Sequence, residues 1–198
     1  MRNIFNFFHK GFKTPLFLLF FLVSSTAFAQ TDFLGIPSIT LDGQVYSLKW
    51  SAKPRPTRVM QEYLLPGEQI RQYNTKLILE YFRTGKTAEQ IADEKLINLA
   101  NEKTEGRVLN FNQLESTNPD EVVIEFMVGN SQDGVARNIE WNVYRYTSNP
   151  GGVVLLTMSK RAYKEENVNA FFSKVSENRL NWIKAVVNYE LPEITVKK

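Results

Sequence analysis

Two glutamates, Glu125 and Glu140, stand in neighbouring stretches of alternating apolar character, "EVVIEFMV" and "NIEWNVYRY". Two carboxyl groups held roughly 5–9 Å apart in a cleft are the acid–base machinery of glycoside hydrolysis. This pair is therefore the first candidate for chemistry, although glutamates on a strand usually just face water. Gly85-Lys86-Thr87, between a strand-like and a helix-like stretch, imitates the end of a phosphate-binding loop. The full motif needs a glycine five positions earlier, and that position holds Glu80. A carboxylate there repels phosphate, so the loop is excluded.

Other chemistries fail for want of residues. The 198-residue chain has one histidine, His9, and no cysteine. His9 lies in an N-terminal segment with the build of a secretory signal. Arg2, Lys10 and Lys13 precede the apolar run Leu16 to Val23, which leads to Ala27-Phe28-Ala29. A basic start, a short apolar stretch and an A-x-A exit predict export with cleavage between Ala29 and Gln30. The run is too short for the roughly 20 residues of a membrane-spanning helix. Residues 1–29 are thus read as a signal peptide and residues 30–198 as a single globular domain that is periplasmic or secreted, with no stable membrane insertion after cleavage.

Cleavage removes the histidine, so the mature chain can build neither a Ser-His-Asp triad nor a thiolate nucleophile. It also lacks the nitrogen and sulfur ligands that zinc prefers. No catalytic residue, metal site or cofactor is expected, and the chain is read as non-catalytic rather than as an enzyme. Three of the 24 Lys+Arg leave with the signal, so 21 basic residues face 21 acidic ones. A folded part without basic surplus excludes nucleic acid as a partner. Without cysteine there is no disulfide, and the core alone must hold the fold.

The elements that position these residues are legible from periodicity. "GQVYSLKW" puts Tyr46, Leu48 and Trp50 on one side of a half-buried strand, and the prolines of "SAKPRPT" are expected to end it. "RVMQEYLL" and "TKLILEYF" are strands flanking Pro66-Gly67, which suits the centre of a type II turn. Tyr63, Glu68 and Tyr73 around that turn would form a site only if they converged. The bland reading is a solvated bend.

Thr87 and Gln90 make a capping box for a helix carrying Ala88, Ile91, Ala92, Leu96, Leu99 and Ala100 at helical spacing, with Gly106 as its stop. Four further strands follow. In "NIEWNVYRY", Ile139, Trp141 and Val143 share one face, while Glu140, Asn142, Tyr144 and Tyr146 share the other. A second long helix, roughly residues 166–189, carries the apolar stripe of Phe171, Val175, Trp182 and Val186. The expected fold class is α+β, a mostly antiparallel sheet with two long amphipathic helices packed on it as an α/β sandwich.

This order of elements, with the "YLLPGEQ" turn and the long aromatic C-terminal helix, resembles the PsbP-like superfamily. That group includes the extrinsic photosystem subunit and the bacterial periplasmic DcrB-type proteins. The resemblance covers most of residues 42–190 at the level of element order and transfers no functional residue. The chain departs from DcrB-type lipoproteins in lacking the lipidated cysteine. What the resemblance implies is an α/β sandwich with a non-catalytic accessory role at an envelope complex.

Three functions stay open on the sequence. The first is an exported binding or accessory protein that recognises another envelope protein or peptide through Glu140, Tyr144 and Tyr146, since tyrosine offers wide contact area with a polar tip. The second is a small-ligand carrier with an apolar pocket between sheet and helix. The third is the carboxylate-based hydrolase built on Glu125 and Glu140.

Overall fold

The computed structural model describes residues 30–132, 135–149, 151–164, 167–194 and 196. The cleavage site and signal segment, and the expected helix start at Glu166, lie outside these residues. Four strands precede the first helix: β1 (Ser38–Leu41), β2 (Gln44–Arg55), β3 (Arg58–Leu64) and β4 (Thr75–Phe82). Then come α1 (Ala88–Thr104), β5 (Val108–Leu114), β6 (Glu121–Gln132), β7 (Val135–Asn149), β8 (Gly152–Tyr163) and α2 (Val168–Val187).

Among the described residues the eight strands form one sheet in the order β1-β2-β3-β4-β8-β7-β6-β5, with antiparallel pairing throughout. Two meanders are joined edge to edge by β4 and β8. The chain leaves β4 in mid-sheet and reaches the far edge at β5 by way of α1, which packs against β5, β6 and β7 on the way.

The expected α/β sandwich is corrected by this arrangement. The sheet is a curled half-barrel holding 47 % of the described residues, so strands rather than a helical layer carry the architecture. Register shifts in β2 and β5 are the local bends that let long strands curl. Both faces are core. Leu77, Val143, Leu156 and Met158 pack on one face with α2. Ile124, Phe126, Tyr146 and Leu155 pack on the other with α1.

Three departures from the sequence reading have simple causes. β1 adds a four-residue strand ahead of the first alternating stretch. β2 runs through Pro54 because β1 pairs it only at residues 44–47, leaving the far half an edge where no ladder hydrogen bond is lost. Trp50 is 37 % exposed because the shift between Leu48 and Trp50 breaks the alternation.

Local signals are realised closely. Gln90 N donates to Thr87 Oγ1 (3.3 Å) and Thr87 N donates to Gln90 Oε1 (3.0 Å), which closes the capping box. Lys86 pairs with Glu94 of α1, so the residues that imitate a phosphate loop are occupied in starting a helix. Gly67 has φ 84° and Glu68 N donates to Leu65 O at 3.2 Å, as a type II turn requires.

The junction of the two meanders is tightest at Gly152. A Cβ there would lie 3.0 Å from the Phe82 carbonyl carbon and still closer to its oxygen. Gly152→Ala is expected to cost about 1–3 kcal/mol through overpacking, read as a lower urea midpoint. An unchanged midpoint would show that β4 and β8 can separate there freely.

Candidate functional site

α2 lies across the sheet with Phe171, Val175, Trp182 and Val186 buried. A cavity opens on either flank of it. The first, about 400 Å³, lies between α2 and the ends of β4 and β8, with Thr75, Lys160, Phe171, Lys174 and Trp182 among its lining residues. The second, about 470 Å³, lies between α2 and the β5–β7 edge, lined among others by Leu109, Glu125, Trp141, Phe172 and Arg179. Trp182 lines the first cavity and Trp141 the second. Their rings meet at 5.4 Å, so the tryptophan pair forms a shared wall. Volumes of this size suit small molecules.

The polar groups of the two cavities differ. In the second, Glu125 accepts from Trp141 Nε1 (2.6 Å) and from Arg179 Nε (2.8 Å), and pairs with Arg179 through a second guanidinium nitrogen. Carboxylate, indole and guanidinium satisfy one another, and the pair ties α2 to β6. In the first, Lys160 Nζ donates to Thr75 Oγ1 (3.2 Å) and lies 4.5 Å from the Trp182 ring centroid. Burial, then the nearby Lys174, brings the Lys160 ammonium down to about 8. A half-buried cation is held there over an aromatic floor.

Sequence reasoning missed Lys160, Arg179 and Arg145, yet a signal existed for two of them. Lys160 continues the apolar parity of Val154, Leu156 and Met158, and Arg145 continues that of Trp141 and Val143. A cation at an apolar position of a core strand must meet something built for it. Arg145 donates to Val186 O (3.2 Å), to Tyr189 O (2.6 Å) and, through Nε, to Glu121 (3.0 Å). It therefore closes the carbonyl end of α2 from beneath.

The residues first singled out lie elsewhere. Glu140 is buried on the α1 face, where Tyr73 Oη (2.6 Å) and Arg161 Nε (2.5 Å) donate to it. Tyr146 is 3 % exposed within the α1 core. Tyr144 is half-buried, 4.8 Å from the Phe126 ring and 5.3 Å from Lys95 Nζ. The two tyrosine rings stand 6.2 Å apart, and among the described residues no hydrogen bond joins either to Glu140.

Glu125, beside Trp141, and Glu140, one residue before it on β7, face opposite sides of the sheet. They cannot share a substrate, so the hydrolase pair dissolves. Near the type II turn, Tyr63 donates to Ile36 O (2.9 Å), while Tyr73 reaches Glu140. Glu68 Oε1 accepts from Asn74 N (2.8 Å), so this carboxylate is bound into its own loop rather than solvated. The three do not converge, and the turn is a bend. Among the described residues no helix is long and apolar enough to cross a membrane, and no group of three or more acidic, histidine or cysteine residues is placed to hold a metal ion.

One protein-family model matches residues 34–191, a span that takes in every strand and both helices. The chain belongs to that family. No curated protein matches the sequence. Among solved structures, a STAR-related lipid transfer protein (fragment 25–204) from Xanthomonas axonopodis is similar at 12 % identity and a TM-score of 0.30. The match covers 71 % of this chain and 96 % of that one.

Proposed function

We propose that this protein is a non-catalytic carrier of a small, largely apolar ligand, held where α2 rides on the sheet. The observation that carries the reading is the pair of cavities flanking α2, both walled by aromatic side chains and separated by Trp141 and Trp182. The second cavity is mainly apolar with a few placed polar groups, as small-ligand sites are, and the first mixes polar and apolar lining about equally.

The contrast with the α1 face supports this choice. There Tyr146 is buried in the α1 core, Tyr144 is half-buried against Phe126, and Glu140 is held by Tyr73 and Arg161. We further propose that the chain is exported, loses residues 1–29 and works in the periplasm or outside the cell. The envelope protein expected as a partner then becomes the donor or acceptor of the ligand.

Mature protein purified from its own host under non-denaturing conditions is expected to carry a small molecule. Native mass spectrometry should show an added mass that organic extraction removes, on a polypeptide beginning at Gln30. A bare polypeptide mass, with no saturable uptake of a neutral apolar dye, would rule the carrier reading out.

A further inference from the structure

We infer that the first cavity takes an amphiphile with a carboxylate or similar singly charged anionic head, seated on Lys160 and Lys174, with its apolar part along Phe171 and Trp182. The inference rests on the carrier reading and adds the chemical class of the ligand.

Its basis is the company these lysines keep. Among the described residues no carboxylate forms an ion pair with the half-buried Lys160, while Lys174 is exposed and adds a second positive charge at the cavity's edge. Arg145 pairs with Glu121, Arg161 with Glu140 and Lys76 with Glu62; Lys95, which lies over the Phe126 and Tyr144 rings without an ion pair among the described residues, lines neither cavity beside α2. Among the described residues Lys160 touches the Thr75 hydroxyl and the face of Trp182, and the carboxylates of Asp42 and Glu68 act on it without forming an ion pair. A cation is rarely taken from water without a counter-charge. Here the place of the counter-charge is a cavity. The second cavity supplies the contrast, because its Arg179 is already answered by Glu125.

The groups around Lys160 bear on its charge in both directions. Burial and then Lys174 from α2 oppose protonation, while Asp42 and Glu68 from the loops favour it. Arg161 and Tyr163 from β8 also line the cavity, and Arg161 is committed to Glu140. An anionic head favours the protonated lysine. Affinity for it is therefore full at pH values below about 8 and falls as pH rises through that value.

The test is a pair of calorimetric titrations of mature protein, with dodecanoate and with dodecanol, from pH 6.5 to 9.5. The carboxylate is expected to bind about tenfold more tightly than the alcohol at pH 6.5, as befits a charged contact, and the two should converge near pH 9.5. Lys160→Gln should abolish the preference and Lys160→Arg should keep it while removing the convergence. If Lys160→Gln does not fold, the pH profile of the unaltered protein and the arginine variant decide. Equal binding of acid and alcohol at every pH overturns the head-group assignment and leaves the carrier reading standing. A folded Lys160→Gln that keeps the preference overturns it too. Binding of neither probe overturns the carrier reading itself.

Discussion

Replacing Trp182 with alanine is expected to destabilise the protein by about 3–5 kcal/mol, the usual cost of emptying a large aromatic site in a core. The indole is 6 % exposed on α2, against Trp141 of the sheet and beneath the Lys160 ammonium. No neighbouring side chain replaces both contacts, because the space beside it is already a cavity. The urea midpoint should fall accordingly. A second consequence separates wall from filler: removal of the shared wall should let one apolar probe occupy both cavities. An unchanged midpoint would mean that α2 is held by its ends and that the tryptophan pair contributes little.

Arg145→Met is expected to cost a similar amount, about 3–5 kcal/mol, because it leaves Glu121 as an unpaired buried charge. Both side chains are almost fully enclosed, at 10 % and 6 % exposure. The variant also strips the carbonyls of Val186 and Tyr189 of their donor, so the C-terminal end of α2 should fray first. Adding Glu121→Gln removes the orphaned charge and should recover a large part of the loss. Hydrogen exchange along residues 180–189 would locate the damage. If the single and double variants are equally unstable, the guanidinium acts on α2 alone and the ion pair is incidental.

Where information is local in the chain, the sequence announces the structure. The Thr87–Gln90 capping box, the positive φ of Gly67 and the alternation of β7 are each written within a few residues. The curl of the sheet is not, since it comes from bulges and from the docking of β4 on β8, residues some eighty positions apart. Trp50 shows the cost of assuming that alternation survives a bulge. Lys160 shows a missed opportunity, for a lysine at the apolar parity of β8 is visible in the sequence. What it faces, Thr75 from β4 and Trp182 from α2, is visible only in the fold. Glu125 and Glu140 make the same point in reverse: neighbouring strands suggested a pair, and the register puts them on opposite faces.

A carrier role requires a ligand beside α2. The most direct measurement is energy transfer from tryptophan to a bound neutral naphthylamine dye, made in mature protein carrying Trp50→Phe so that only the cavity-wall indoles report. Saturable transfer with a dye seated within a few ångströms of Trp182 is predicted, and it should be lost in folded Ala170→Phe, whose side chain fills the mouth of the first cavity. A dye that binds equally in the plugged variant would place the ligand in the second cavity, and one that never saturates would contradict the carrier role.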